Sequence, residues 1–526
     1  MGGIIMKKNG KSIRLLAAAV ALTAVFANGC ADKSSSSSYK LTNGKAVGDA
    51  KYAITEKPTE ITMFMVRSDG KSEDTTIFKE AERLTNVNVR TVTSQSVADE
   101  KQAFSVLIAS GDIPDVVALG NGKDSFLQYG LEGAFMAIDE ALDEHTPNLN
   151  KIFEDIDVKN YTTAADGHIY YLPCINEPTV AEGWFIRKDW LDKLGLEVPK
   201  TVEDFHDVLK AIRERDPNGN GIKDEVPYFS RFTRVDDLLN LWGVEKLWAV
   251  RDNKVIFFPI TEAYRDAYAE IAKWYAEGLI DKEIFTRGSK SRDKLFGDNV
   301  GGATHDWFGT TAQFNEVLKD KIPGFELVAF APPSGVEYYS RTKVNSKGVA
   351  FSAKSDKKDV ALRFYDFIYS EPGVRLMNFG IEGKHYTMKD GKPYFEDWVL
   401  NSDQTTLSLL TQEGVSSAGA GIQDFWYEEQ WLNKQAREGA RMYLDNNYLA
   451  EPFPSLSYTE DEKRELDKIM GNITTLVQES FQKWVFGTDD VMSTHGAFVE
   501  KAKSMGIEKA IKIQNDAYKR YKKNTK

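Results

Sequence analysis

The hydrophobic and polar residues in the first third of the chain follow a strand-then-helix order. The buried-strand patterns lie at 60–66, 87–92, 114–118, 168–173 and 183–186. Amphipathic helical patterns separate the first three of these strands, at 75–84 and 99–110. Strands that alternate with helices of this length are typical of βαβ units, so we predict a largely parallel sheet.

Helical periodicity dominates the rest of the chain. The predicted helices cover 189–194, 202–215, 262–277, 356–369, 424–446, 460–486 and 491–522. The predicted fold class is therefore α/β with a helix-rich C-terminal third. The residues after position 29 number 497 (526 minus 29), which exceeds the size of a single hydrophobic core and favours two lobes.

A short apolar run near the N-terminus has the layout of an export signal. Leu15–Ala27 is too short to span a bilayer, and it follows four basic residues, Lys7, Lys8, Lys11 and Arg14. The next residues, Ala27-Asn28-Gly29-Cys30, resemble the lipobox of bacterial lipoproteins, in which the cysteine becomes the lipidated N-terminus. We predict a signal peptide at 1–29, lipidation of Cys30 and a flexible, Ser-rich tether at 30–57. The alternative is an ordinary secretory signal that is cleaved nearby, with Cys30 incidental.

Charge and cysteine content narrow the possible partners. The formal net charge is −12, and it becomes −16 without the signal peptide, which carries four basic and no acidic residues. Such a surface repels nucleic acid, so we expect no nucleic-acid partner. Cys30 and Cys174 are the only cysteines, and lipidation of Cys30 would leave no disulfide and no cysteine-based metal site. We expect a monomer held at the extracellular face of a bacterial membrane.

An Asp/Asn/Gly-rich loop at 216–225 directly follows a predicted helix. Oxygen-bearing side chains stand at its positions one, three and five, with Gly221 at position six, where a calcium loop needs a sharp turn. The predicted Ca²⁺ ligands are Asp216, Asn218, Asn220, the backbone carbonyl of Ile222, Asp224 and Glu225. The loop departs from an EF-hand because Pro227 stands at position twelve. A solvated turn that caps the helix is the alternative, and a bound ion would be structural.

Three neighbouring segments resemble one protein family. They are 187–195 (RKDWLDKLG), 198–205 (VPKTVEDF) and the 216–225 loop. In combination they are similar to the extracellular solute-binding lipoproteins of carbohydrate ABC importers, including calcium-containing alginate-binding proteins. Residues 303–309 resemble the family segment that places an aromatic residue in the ligand cleft, and 359–367 resemble the family's helix after the return crossing.

The resemblance implies a two-lobed, type II periplasmic-binding-protein-like fold with hinge crossings that let it close on a ligand. The implied boundaries are 58–175 for the first part of lobe 1, 176–330 for the first part of lobe 2, 331–385 for the return to lobe 1 and 386–526 for the C-terminal helical part of lobe 2. Crossings are expected near 174–176, 329–333 and 384–386. The implied function is to capture an oligosaccharide and deliver it to the permease subunits of an ABC transporter.

A sugar site needs flat aromatic platforms for the C–H faces and hydrogen-bonding groups for the hydroxyls. Trp307 is the first candidate platform, because it lies between two glycines in the segment that resembles the family's cleft. The other aromatic candidates are Trp426, Tyr427, Trp242 and Trp248, whereas Trp190, Trp274 and Trp484 follow helical patterns and are expected in the core. The polar candidates at strand ends and crossings are Arg67, Asp69, Asn121, Glu182 and Arg341.

A surface-anchored polysaccharide-degrading enzyme, a hydrolase or a lyase, is the alternative function. The six histidines show no HExxH arrangement, and 414–418 lacks the final glycine of a nucleophile elbow. His305 beside Asp306 is the nearest approach to a catalytic pair. An adhesin or scaffold without a small ligand is a third class. We expect a binding protein rather than an enzyme, while the identity, length and charge of the sugar stay open, as does a peptide ligand.

Overall fold

The computed structural model describes residues 39–67, 70–93, 99–177, 179–232, 234–338 and 341–525. They belong to one compact unit that begins at Tyr39 and contains two separate large β-sheets. The predicted signal peptide, Cys30 and the candidate Asp69 lie outside the described residues. The flexible tether predicted at 30–57 is wrong from residue 39 onward, because Leu41 pairs with Thr55 and the side chains of Ala53 and Ile54 are buried against the first lobe. Within the described residues, no helix is long and apolar enough to cross a membrane.

The strands of the first lobe form a six-stranded mixed sheet. They are β1 (Thr59–Phe64), β2 (Val87–Thr91), β3 (Val116–Leu119), β4 (Leu172–Asn176), β11 (Val344–Phe351) and β14 (Gly421–Gln423). Their order is β14-β4-β11-β3-β1-β2, and β11 runs antiparallel to both of its neighbours while the other pairs are parallel. The alternation read from the sequence sets the buried face, since Ile61 and Met63 of β1 have no exposed surface.

The second lobe is built on a four-stranded sheet. Its strands are β5 (Glu182–Arg187), β6 (Val226–Tyr228), β9 (Gly301–Trp307) and β10 (Leu327–Phe330), in the order β10-β5-β9-β6. Strand β5 is antiparallel to β9 and β10, and β6 is parallel to β9. Two hairpins lie outside the large sheets: β7 (Trp248–Arg251) with β8 (Lys254–Phe257), and β12 (Tyr386–Lys389) with β13 (Lys392–Phe395).

Helices cover the sheets and form most of the C-terminal third. They are α1 (Thr76–Thr85), α2 (Glu100–Ser110), α3 (Lys123–Leu131), α4 (Pro147–Ile152), α5 (Ile156–Thr162), α6 (Lys188–Leu194), α7 (Val202–Glu214), α8 (Glu262–Ala276), α9 (Ser291–Gly297), α10 (Phe308–Ala312), α11 (Phe314–Leu318), α12 (Lys358–Tyr369), α13 (Glu371–Phe379), α14 (Asp397–Leu400), α15 (Thr406–Glu413), α16 (Phe425–Trp431), α17 (Lys434–Asp445), α18 (Glu460–Phe486), α19 (Val491–Ser504) and α20 (Ile507–Asn524). Capping boxes begin α7 at Thr201 and α18 at Thr459, which satisfies backbone donors at both starts.

The prediction of a largely parallel sheet is wrong for the second lobe and incomplete for the first. The reversed strand of the first sheet, β11, enters directly after a crossing from the other lobe. A chain that returns across the hinge reaches the sheet at the edge nearest the hinge, so it must run away from that edge. The second sheet inverts β5 for the same reason, because β5 follows the first crossing.

Three segments of the chain cross between the hydrophobic cores of the two lobes. The first two follow Asn176 and Phe330, close to the predicted crossings near 174–176 and 329–333. The third lies at the end of α16, where Tyr427 packs in the first core, Leu432 in the second, and Trp431 against both. The predicted crossing near 384–386 and the boundary at residue 386 are therefore wrong.

The reason for this correction is local packing of the β12–β13 hairpin. Tyr386, Phe395 and Val399 are buried in the first core, so the chain stays on that lobe until Trp431, about 45 residues beyond the predicted boundary.

The predicted helices 424–446 and 491–522 are each interrupted. Asn433 caps a new helix after α16, and Gly506, at φ +98°, separates α19 from α20.

Candidate functional site

The edge of the second sheet that faces the crossings collects the ends of four strands. Strands β6, β9 and β10 end there, and antiparallel β5 begins there with Glu182. In the first sheet, the carboxyl ends of the parallel strands β1, β3, β4 and β14 lie at the edge from which β4 leads into the first crossing. Ligands of open α/β sheets bind at such carboxyl ends, so these two edges bound the candidate cleft.

Trp307 is the exposed aromatic residue at the end of β9. Its side chain is 38 % exposed, an unusual value for an indole. The guanidinium of Arg341, from the second crossing, lies 5.6 Å from the centroid of the Trp307 ring, and Arg341 is ion-paired to Glu428 of α16. The backbone N–H of Trp307 donates to Asp306 Oδ1 at 2.8 Å. The ring is therefore held from one side and offered to solvent on the other.

Asp306 is the carboxylate that organises this edge. It is fully buried and accepts a bidentate pair of hydrogen bonds from Arg231, with Arg231 Nε at 2.6 Å from Asp306 Oδ2. Arg292 lies 3.2 Å from the same oxygen. A bidentate guanidinium pair is both strong and directional, so the backbone beside Trp307 has little freedom to shift.

A second buried network lies behind this edge and reaches the second crossing. His305 Nε2 is 3.0 Å from Glu337 of that crossing, and His305 Nδ1 is 3.4 Å from Asp237. Burial disfavours the charged imidazolium, but the two carboxylates outweigh burial and raise the pKa of His305 to about 10. His305 is therefore protonated at neutral pH and fastens the crossing segment to the second lobe.

His305, Glu182 and Asp237 also have the spacing of a metal site, with potential ligand atoms within 4.8 Å of one another. The guanidinium of Arg234 is ion-paired to both carboxylates, and Lys246 lies 2.9 Å from Asp237. These cations already neutralise the carboxylates, which leaves no net negative charge in the cluster for a metal ion to balance. We therefore interpret the cluster as an ion-pair network, which also removes His305–Asp306 as a free catalytic pair.

The edge of the first lobe has a different lining. A cavity of about 480 Å³ lies at the ends of β1 and β3 and is bordered by Arg67, Lys347, Gly120 and the 416–419 segment, with Ser408, Thr411 and Gln412 of α15. Arg67 Nη2 donates to the carbonyl of Thr411 at 3.2 Å, and Lys347 Nζ donates to that of Ser416 at 3.3 Å. Glu100 also borders the cavity, where its carboxylate accepts a hydrogen bond from the N–H of Gly120, so cations, a carboxylate and hydroxyls together suit a polar ligand.

A larger cavity, of about 970 Å³, lies beside the crossings and is bordered by Trp426, Phe425, Glu177 and Arg441. The Trp426 indole N–H donates to the carbonyl of Pro393 at 2.7 Å, and the Lys392 ammonium lies 5.0 Å from the ring centroid. Neither Trp307 nor Arg67 borders this cavity. We give it less weight as the sugar site, because Trp426, the one indole among the described residues that border it, is half-buried and already engaged in these contacts.

The remaining predicted site residues are dispersed. Tyr427 is 2 % exposed in the first core, because the helical turn of α16 points it inward, and this corrects its prediction as a platform. Trp242 and Trp248 are half-buried against the second core, where they pack on Trp274 and Phe257. Asn121 is exposed in the turn after β3, and Glu182 and Arg341 are engaged in ion pairs. Trp190, Trp274 and Trp484 are buried, as expected.

Sequence reasoning missed Arg231, Phe232 and Lys347. The first two follow β6, a strand of three residues that carries too little alternation to be detected. Lys347 lies within β11, at the end that faces the cleft. The signal that could have found Arg231 and Phe232 is an aromatic residue flanked by arginines (RFTR, 231–234) after a predicted loop.

The 216–225 loop connects α7 to β6 and folds around its own oxygen atoms. Asp216 accepts hydrogen bonds from the N–H groups of Gly219, Asn220 and Gly221, at 2.9–3.2 Å. Glu225 is 8 % exposed, and its Oε2 makes no hydrogen bond within the described residues. Burial, reinforced by the nearby charges of Asp216 and Asp224, raises the pKa of Glu225.

These features fit a cation in the loop. No three carboxylate groups of the loop have oxygen atoms that all lie within 4.8 Å of one another. Calcium does not require that spacing, because amide and backbone carbonyl oxygens supply part of its shell at flexible geometry. A hard cation bound in the loop would compensate the negative charge of the buried Glu225 carboxylate and of the carboxylates near it.

Comparison with known proteins places the chain in a family. Residues 68–375 match the bacterial extracellular solute-binding protein family. The crystal structure of alginate-binding protein AlgQ2 without calcium ion is 36 % identical in sequence and has a TM-score of 0.76, over 88 % of this chain and 99 % of that one.

Two curated relatives are similar over most of their length. The fructooligosaccharide ABC transporter substrate-binding protein FusA of Streptococcus pneumoniae serotype 4 is 26 % identical over 559 residues, which cover 98 % of this chain and 99 % of FusA. The polygalacturonan/rhamnogalacturonan-binding protein YtcQ of Bacillus subtilis (strain 168) is 25 % identical over 463 residues, which cover 84 % of this chain and 88 % of YtcQ. With its two lobes, its crossings and a family match over more than half of its length, this chain belongs to the bacterial extracellular solute-binding proteins.

Proposed function

We propose that this protein captures an oligosaccharide outside the cell and delivers it to the permease of an ABC importer. Membership of a solute-binding family identifies a binding protein and not a hydrolase or lyase. Its relatives AlgQ2, FusA and YtcQ bind alginate, fructooligosaccharide and polygalacturonan or rhamnogalacturonan. The observation that carries the proposal is the exposed Trp307 ring, fixed by Asp306 and Arg341 at the edge of the second lobe.

The capture step follows from the chemistry of the two edges. The C–H face of a sugar ring stacks on the free face of Trp307, which removes apolar surface from water. Arg67, Lys347 and the hydroxyls around the first-lobe cavity then supply hydrogen bonds to the ring substituents. Rotation about the three crossings brings the two edges together, and the permease recognises the closed form.

Two further parts of the proposal concern location and metal. Cys30 carries the lipid anchor that holds the monomeric receptor near its permease. The 216–225 loop binds a structural Ca²⁺ through Asp216, Asn218, Asn220, Ile222, Asp224 and Glu225. The existence of an AlgQ2 structure described as without calcium ion supports a calcium site in that relative. In this chain the buried Glu225 carboxylate is the supporting observation.

Isothermal titration calorimetry on the unlipidated mature protein tests the main proposal. The probes are alginate, inulin-type fructan and polygalacturonan oligomers from disaccharide to hexasaccharide, with trialanine as the peptide control. We expect saturable binding of at least one oligomer. A ligand at a hundred times its Kd should also raise the protein's apparent free energy of unfolding by about 2.7 kcal/mol. Binding of trialanine alone, or cleavage of an oligomer, would contradict the proposal.

Calcium binding is tested by thermal unfolding in Ca²⁺ and in EDTA. We expect EDTA to lower the Tm of the wild type and to have no effect on the Asp216→Ala/Asp224→Ala variant. The exposed Asp298→Ala variant is the matched control and should respond like the wild type. An affinity of about 10⁻⁴–10⁻³ M is typical of extracellular calcium modules.

The lipid anchor is tested in cells. Cys30→Ser should release the protein into the medium and abolish metabolic labelling with a fatty acid, whereas Cys174→Ser should change neither. Retention of the Cys30→Ser protein on the membrane would contradict lipidation at this residue.

A further inference from the structure

Phe232 is a second exposed aromatic ring at the same edge as Trp307. Strands β6 and β9 are parallel neighbours, and Tyr228 pairs with Ala303. Four residues further along each strand direction lie Phe232 and Trp307, and the residues just before them are tied by the Arg231–Asp306 ion pair. Strand β6 itself ends at Tyr228, so it is the Arg231–Asp306 ion pair that brings Phe232 to the same edge as Trp307.

The two rings are mounted in the same way. The guanidinium of Arg231 lies 5.1 Å from the centroid of Phe232, as that of Arg341 lies 5.6 Å from the centroid of Trp307. A carboxylate holds each arginine, Asp306 in the first case and Glu428 in the second. Phe232 is 55 % exposed, so the ring surface that its arginine does not cover is open to solvent.

The backbone at Phe232 is strained. Its φ of +54° places a bulky aromatic residue in the left-handed region, where glycine or asparagine is normal. Such strain persists only where surrounding contacts impose it, and it is concentrated at binding sites.

Phe232, but not Trp307, borders a further cavity of the second lobe. It measures about 440 Å³ and lies between α8, α18 and the 235–242 segment. Its lining combines aromatic rings with amides and charged groups: Tyr264, Tyr268, Phe481, Thr474, Gln478, Gln482, Arg234, Asp236 and Lys246. Rings together with amide groups are the lining that a sugar residue requires.

We propose that Phe232 and this cavity form an additional sugar subsite next to Trp307, which takes the next residue of a linear oligosaccharide and makes the protein select for chain length. The inference rests on the proposed function, and it identifies the part of the second lobe that determines selectivity for the chain length of the oligosaccharide. The row of platforms then runs from Trp307 over Phe232 towards Gln478 and Gln482.

Calorimetry with the oligomer series described above tests the subsite. In the wild type we expect affinity to rise with chain length. Phe232→Ala should weaken the binding of the longest oligomers about threefold to tenfold and leave the shortest unchanged, because one stacked aromatic contact is lost. Gln478→Ala/Gln482→Ala should show the same length dependence with a smaller loss. Phe486→Ala removes an exposed Phe of α18 outside this cavity and should bind every oligomer like the wild type.

The outcomes separate the two proposals. If the wild type binds none of the probes, the proposed function is overturned. If the wild type binds and Phe232→Ala shows no loss, or an equal loss at every length, only the subsite is overturned. Phe232→Gly relieves the backbone strain, so its binding reports on the ring alone should Phe232→Ala fold poorly.

Discussion

The two edges that bound the cleft use different chemistry. The second-lobe edge carries the exposed rings of Trp307 and Phe232, each backed by an arginine that a carboxylate holds. The first-lobe edge carries Arg67, Lys347 and several hydroxyls, and none of the described residues that line its cavity is aromatic. One edge is rigid and apolar on its outer face, and the other is polar and able to adapt.

This difference assigns separate tasks to the lobes. A ring that is braced by a buried ion-pair network cannot tilt without disturbing that network, so the second lobe fixes the plane of a bound sugar ring. Side chains such as Lys347 are long and can rearrange, so the first lobe completes the hydrogen bonds as the cleft closes. Four substitutions test this division, from the largest expected effect to the smallest.

Asp306→Ala should have the largest effect. It leaves the guanidinium groups of Arg231 and Arg292 uncompensated at a buried site, which costs about 3–5 kcal/mol of stability. Urea denaturation measures the loss. Asp298→Ala, which breaks the exposed pair with Lys294, is the matched control and should leave the stability almost unchanged. A stability near that of the wild type in Asp306→Ala would show that the edge is not braced as described.

Trp307→Ala should remove most of the sugar affinity while the protein stays folded. Loss of a central aromatic contact costs about 2 kcal/mol or more, which is at least about thirtyfold in Kd. Calorimetry with the best-binding oligomer measures it. Trp398→Ala is the control, since Trp398 is an exposed indole on the first lobe, at 43 % exposure, away from the cavity at Arg67. Equal affinity in Trp307→Ala and wild type would remove this ring from the site.

His305→Gln should change the pH dependence of stability. The folded pKa of about 10 lies above the ordinary 6.5, so the imidazolium stabilises the fold fully below pH 6.5 and this contribution is lost as pH rises towards 10. The slope from this group reaches at most about 1.4 kcal/mol per pH unit.

Denaturant midpoints of His305→Gln and wild type, compared between pH 7 and pH 10, measure that slope. Other groups that titrate in this range contribute to both proteins and cancel in the difference. We expect the wild type to lose stability more steeply than the variant. Parallel curves would mean that His305 is neutral in the folded protein.

Lys347→Met should have the smallest effect. It keeps most of the side-chain volume and removes one hydrogen-bonding cation from the first-lobe edge, so we expect the Kd to rise about threefold or less for a neutral oligomer. The loss should be greater, and reduced by salt, if the bound oligomer is acidic. A loss greater than that of Trp307→Ala would reverse the comparison between the lobes.

Local patterns predicted the start of the first lobe well. The expected strands 60–66 and 87–92 and helices 75–84 and 99–110 correspond to β1, β2, α1 and α2 within a few residues. The direction of β11 and the existence of β6 and β14 were not predictable. A strand of three residues contains too little alternation to be recognised, and its direction depends on which distant strand it pairs with.

The amino-acid sequence by itself determined the α/β class, the oxygen-rich 216–225 loop, the family resemblance and the choice of Trp307, because each rests on residues that are close together in the chain. Only the tertiary structure decided that Tyr427 is buried, that the third crossing lies at Trp431, and that Arg231, next to Phe232, is ion-paired with Asp306, next to Trp307. Those facts depend on pairings between residues tens to hundreds of positions apart. The Arg231–Asp306 ion pair, for example, spans 75 positions.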